Sequence, residues 1–157
     1  MKKQYLIRLS LVLLLFAGGI ACKKSSGSGD GSEGTMSAKV DGALQTCDLA
    51  IEATLSNGVL GLGGRWSSGG GFTMSIPGFT NTTGAFNLGS GNMNIAVVTL
   101  GLNATDTYTA NPVTGSGKII ITSFSDDNIK GSFEFVGKNT SQATKTITEG
   151  KFDINFD

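Results

Sequence analysis

Few side chains in this sequence are equipped for chemistry, and Arg65-Trp66 is the first pair to consider. It joins the one tryptophan to the one arginine beyond position 8, beside the glycine run Gly69-Gly70-Gly71. An indole next to a guanidinium could stack a sugar ring or hold a carboxylate, which makes Arg65 and Trp66 the candidate ligand-binding residues. The same tryptophan could instead be a core anchor, the ordinary use of a large aromatic. Asp126-Asp127 could offer oxygen ligands to Ca²⁺. No EF-hand spacing accompanies it, so a polar turn is the expectation. Glu52 and Glu134 are the carboxylates a glycosidase pair would need. Both fall on the polar phase of their segments and read as solvated. Gly61-Leu62-Gly63-Gly64 lacks the Lys-Ser/Thr of a phosphate loop and opens no helix.

What the composition omits narrows the chemistry further. There is no histidine in the 157 residues. That removes the commonest general base and the commonest transition-metal ligand, so no catalytic residue, metal or cofactor is expected. The cysteines are Cys22 and Cys47. Cys47 lies in phase with Leu49, Ile51, Ala53 and Leu55. Without a histidine partner it reads as a small buried hydrophobe rather than a nucleophile. Setting aside Lys2, Lys3 and Arg8 leaves nine basic against twelve acidic residues. With no basic patch, nucleic acid is not an expected partner.

The N-terminal segment carries an address. Lys2, Lys3 and Arg8 lead into an apolar run from Leu9 to Ala17, broken by Ser10. Gly18, Gly19 and Ala21 then precede Cys22. A charged start, a short apolar core and a small-residue site predict a secretory signal over residues 1–21. A membrane-spanning helix needs about 20 apolar residues, more than are present here. Gly19-Ile20-Ala21-Cys22 resembles the signal-peptidase II lipobox of bacterial lipoproteins, in the looser form used by Bacteroidota. It departs from the usual pattern at Gly19, where Leu is common, and at Ile20, where a small residue is common. The resemblance implies a diacylglycerol thioether and fatty acylation at Cys22. It implies a membrane partner through that anchor, and Lys23 favours the outer membrane, with the periplasmic or surface side left open. Residues 22–35 hold no large apolar side chain and read as a flexible Gly/Ser tether with a reach of about 20 Å.

The remaining segment, 36–157, must supply whatever positions these side chains. Period-two alternation recurs roughly every ten residues, which predicts an all-β domain. The expected architecture is a single antiparallel β-sandwich or a flattened lipocalin-like barrel of about nine or ten short strands, with minimal helix. Asp41-Gly42 and Asn57-Gly58 read as hairpin turns. Ser68-Gly69-Gly70 reads as a loop that sets Trp66 opposite Phe72 and Leu62 opposite Ile76. Further strands are expected at 85–88, 94–102, 107–110, 117–124, 129–137 and 145–156. Ile147 and Phe152 fall on opposite phases of the last one, which predicts a β-bulge at or near Gly150. Ile119-Ile120-Ile121 and Ala96-Val97-Val98 read as central strands covered on both faces.

The domain also resembles a family of uncharacterised Bacteroidota lipoproteins. The likeness is carried by Ser37-Ala38-Lys39-Val40-Asp41-Gly42, by Phe72-Thr73-Met74-Ser75-Ile76-Pro77-Gly78, by Gly115-Ser116-Gly117-Lys118-Ile119 with Ile129-Lys130-Gly131-Ser132-Phe133, and by Ile147-Thr148-Glu149-Gly150-Lys151-Phe152. These motifs are structural, so the resemblance implies a fold and no activity. The expectation is a lipid-anchored envelope protein acting as a non-enzymatic binding or structural module. The alternatives are a lipocalin-like carrier of a small apolar ligand and, with less support, a carbohydrate-active surface protein that takes a glycan.

Overall fold

Turn chemistry and alternation translate directly into strands. The computed structural model describes residues 34–156. The expected signal segment, Cys22 and the tether up to residue 33 lie outside the described residues. The strands are β1 (Gly34–Val40), β2 (Ala43–Thr46), β3 (Leu49–Ser56), β4 (Val59–Trp66), β5 (Gly70–Pro77), β6 (Gly84–Leu88), β7 (Ile95–Thr99), β8 (Thr107–Ala110), β9 (Ser116–Phe124), β10 (Asn128–Lys138) and β11 (Thr144–Asn155). A 3-10 turn at Ala104–Asp106 precedes β8. Strand makes up 67% and helix 2% of the described residues, with one antiparallel sheet curled into a half-barrel, so the all-β class holds.

The strand order is β2-β1-β11-β10-β8-β7-β5-β4-β3. The sheet branches at β10. Residues Ile129 to Val136 pair with β9, which carries β6, whereas Lys138 pairs with Thr109 of β8. β8 and β9 therefore follow one another along the same edge of β10. Antiparallel pairing makes β1, β4, β7 and β10 run toward one end of the half-barrel, here the A end. The first residue of β1, the Asn57-Gly58 turn and the end of β11 lie at the opposite, B end. The far edge, β3, touches the last residues through an Ala53–Phe156 bridge.

The concave side is filled. Phe72 of β5 meets Phe133 of β10 edge to face, with ring centroids 5.3 Å apart. Glycines opposite aromatic rings make this packing possible. Trp66 pairs with Gly70, Phe72 with Gly64, Phe135 with Gly117, Phe133 with Gly150 and Phe152 with Gly131. A methyl group at Gly70 would land on the indole Cζ2, Cε2 and Nε1 atoms. The Trp66, Phe133 and Phe152 rings lie over Gly70, Gly150 and Gly131, where a methyl group would collide with ring atoms, whereas at Gly64 it would meet Cys47 and Met36 and at Gly117 the Glu134 carbonyl and the Phe135 Cα and Cβ.

Several expectations change in detail. The β4–β5 loop is Ser67-Ser68-Gly69, so Leu62 faces Met74, Gly64 faces Phe72 and Trp66 faces Gly70. The loop keeps its three residues but starts one earlier, because Gly69 takes the positive φ of +99° and Gly70 must lie under the indole. A slip of two residues keeps every side chain on its face. β2 was not anticipated, since Ala43-Leu44-Gln45-Thr46 shows no apolar alternation. β7 ends at Thr99, and the Leu100 N–H, which donates to the Asp106 carbonyl at 2.9 Å, makes a last bond in the β7–β8 register before the chain leaves into the 3-10 turn. Cys47 precedes β3 rather than lying in it. Ala50, at φ +45°, shifts the register of β3 and breaks its phase. Ala53 is buried, whereas Leu49 is 52% and Leu55 38% exposed. Ile120 and Val97 are half-buried on the convex side, so their strands are fully covered on one face only. The bulge expected near Gly150 is present: Glu149 takes φ +53°, and both neighbours of β11 shift register there. β1 begins at Gly34, two residues before the expected domain start, and pairs Gly34 with Ile154 by backbone alone.

Candidate functional site

Alternation along β4 decides what Arg65 and Trp66 can do. Leu60, Leu62, Gly64 and Trp66 face the core, while Gly61, Gly63 and Arg65 face outward. The structure therefore places the two candidate residues on opposite faces and does not bring them together. The hairpin joining them is well fixed. The Asp48 carboxylate accepts from Ser67 N–H at 2.8 Å and from Ser67 Oγ at 3.0 Å. Asp48 N–H donates to the Arg65 carbonyl at 2.9 Å, and Gly69 N–H to the Trp66 carbonyl at 3.0 Å.

Arg65 lies over an outer trough of about 340 Å³ floored by Gly63 and Gly71, with Glu52, Thr73 and Thr99 beside it. Its guanidinium makes no ion pair with the described residues. Trp66 is 8% exposed and packs edge to face on Phe72, with centroids 5.2 Å apart. That geometry fits the core-anchor reading of Trp66, with one margin left at the surface.

That margin borders a cleft of about 390 Å³ at the A end, where four parts of the chain meet. The β1–β2 turn supplies Val40, Asp41, Ala43 and Gln45, the β4–β5 hairpin Trp66 and Ser68, the exit of β7 Leu100, and β11 Lys145. Lys145 Nζ lies 2.7 Å from Asp41 Oδ2, and Thr146 N–H donates to Asp41 Oδ1 at 2.9 Å. The Asp41 backbone N–H donates to the Thr146 carbonyl at 2.8 Å, which holds Asp41 at φ +47°. Lys145 also stands over the Tyr108 ring, 5.9 Å from its centroid. The Lys145 hydrogen bond, then the Thr146 backbone N–H, hold the Asp41 carboxyl below its ordinary range. The same bond raises the Lys145 ammonium. Sequence reasoning saw Asp41 only as a turn residue and did not single out Gln45 or Lys145. Asp41 and Lys145 are 104 residues apart, so no local spacing joins them.

The other candidates are spread out. Asp126 and Asp127 occupy the β9–β10 turn, closed by Ser125 N–H donating to the Asn128 carbonyl at 2.9 Å. Glu134 pairs with Lys118 at 3.2 Å on the convex side and borders a different cleft from Glu52. Among the described residues, no three His, Cys, Asp or Glu side chains gather in a metal-binding group. Cys47 is buried against Gly64 and Met36, and burial pushes its thiol up to about 11. A second cleft of about 390 Å³ opens at the B end among Leu55, Phe124, Phe156, Asn81 and Asp126.

Residues 33–153 match a family model described as a domain of unknown function, DUF6252. No curated protein and no solved structure matches the chain.

Proposed function

The chain belongs to the DUF6252 family of domains of unknown function, and from that premise we propose that it is a lipid-anchored bacterial envelope protein whose half-barrel is a non-enzymatic binding or structural module. The observation that carries the reading is Cys22, preceded by a charged start, a short apolar run and small residues. A lipidated Cys22 with two or more acyl chains gives stable anchoring, whereas a single chain binds only marginally. Lys23 and Lys24 suit an outer-membrane destination. The non-enzymatic reading is supported by the lack of histidine and by the separation of Glu52 from Glu134.

The anchor is tested by Cys22→Ser in cells fed a fatty-acid probe. The expected result is loss of label and release of the protein from the membrane fraction. A variant that stays labelled and membrane-bound overturns the reading.

A further inference from the structure

We infer that the A-end cleft is a binding site for a neutral saccharide of one or two rings. The inference rests on the binding-module reading and is independent of the anchor. The cleft, at about 390 Å³, lies near the lower end of the ~300–1,000 Å³ usual for small-molecule sites.

Five polar side chains line it, and they are incompletely used. The Gln45 amide, the Ser68 hydroxyl and the Trp66 indole N–H make no side-chain hydrogen bond with the described residues. None of these atoms is sealed from solvent. Trp66 itself cannot turn away, because its ring is trapped between Gly70 and Phe72. Asp41 and Lys145 are likewise held, by each other and by Thr146 and Tyr108. The indole and the ion pair are thus set before any ligand arrives, which lowers the ordering cost of binding.

The mixture of groups selects the ligand class. Asp41 accepts, Lys145 and the indole N–H donate, and Gln45 and Ser68 do both. The two charges neutralise one another at 2.7 Å. An anion gains Lys145 only by facing Asp41, and a cation meets the reverse conflict. An apolar ligand would cover these polar groups without replacing their water, which is unfavourable. Sugar hydroxyls donate and accept at adjacent positions, so they can satisfy all five groups. Val40, Ala43 and Leu100 offer an apolar wall for the C–H face of a ring.

Trp66 is the one tryptophan in the chain, so its emission reports directly on this cleft. The full chain, in a detergent without a sugar headgroup, is titrated with glucose, galactose, mannose, N-acetylglucosamine, cellobiose and lactose. At least one is expected to give a saturable change in emission. Lys145→Met and Gln45→Ala should each weaken that response about tenfold without lowering Tm by more than a degree or two, the scale of one lost hydrogen bond. Arg65→Ala, on the opposite face, should leave it intact. No saturable change with any sugar, an equal response to acetate, or wild-type binding by both cleft variants overturns the proposal. Membrane fractionation plays no part in this readout, so failure of the site and failure of the anchor give different results.

Discussion

At the A end of the half-barrel Trp66 lies across Gly70, ringed by Asp41, Gln45, Ser68 and Lys145. At the B end three rings do most of the closing. Phe79 meets Phe124 at 5.3 Å, and Phe124 meets Phe156 at 5.7 Å. Inside the B end these rings meet through apolar area, while on its outer face Asn128 and Lys130 are hydrogen-bonded to Asp153. The A end combines one sterically locked ring with polar groups whose hydrogen bonds require fixed directions. Orientation-dependent groups on a locked frame are what recognition needs, whereas a pliable aromatic plug needs only to exclude water.

That contrast is broken most severely at Gly70. Gly70→Ala puts a methyl group into the indole, and overpacking of this kind costs about 1–3 kcal/mol. Phe156→Ala removes a half-buried ring at the B end, where neighbouring rings can relax. It should cost less, about 1–2 kcal/mol, because truncation scales with the volume left unfilled. Urea melts of the two variants decide the matter. A larger loss from Phe156→Ala would invert the comparison.

A smaller effect concerns Cys47, beside Gly64 on the concave side. Its thiol ordinarily ionises near 9.0 and is raised to about 11 by burial. The native protein should resist iodoacetamide at pH 8 and react fully in denaturant. Since the folded value is the higher one, this stabilisation is complete below pH 9 and is lost as pH rises toward 11. Rapid native labelling would show that the concave side opens.

The smallest effect is expected at the A-end ion pair. Asp41→Asn should cost less than about 1 kcal/mol at neutral pH, because the pair is exposed to solvent and screened by salt. The Asp41 carboxyl is held below its ordinary 3.8, so its contribution is present above that value and lost as pH falls through the depressed one. Melting of Asp41→Asn and the unaltered chain should therefore converge in acid. A difference that persists at pH 2 would locate the effect in the strained turn at φ +47° rather than in the charge.

Much of the B end was legible in advance. Asn57-Gly58 announced its hairpin, with φ of +50° and +73°, because few other residue pairs adopt that turn. Ile129, Phe133, Phe135, Phe152 and Ile154 followed from alternation and are buried as their phase required. The bulge beside Gly150 followed from a phase conflict. The β4–β5 register was less legible, because alternation cannot distinguish a two-residue slip. The misfit appears only when the indole must find a glycine beneath it. β2 was missed because its four residues form a strand by pairing with β1, not by their own pattern. The A-end cleft was the least legible part, since its polar members come from the β1–β2 turn, β2, the β4–β5 hairpin and β11.

The sequence by itself determined the all-β class, the turns and most of the buried positions. These are properties of neighbours along the chain, where period-two alternation and left-handed turn residues act locally. Tertiary structure decided that Arg65 and Trp66 part company, that Asp41 and Lys145 meet, and that the rings lie over glycines. Those outcomes depend on register between distant strands, and a register is settled only when both partners and the side chains between them are packed.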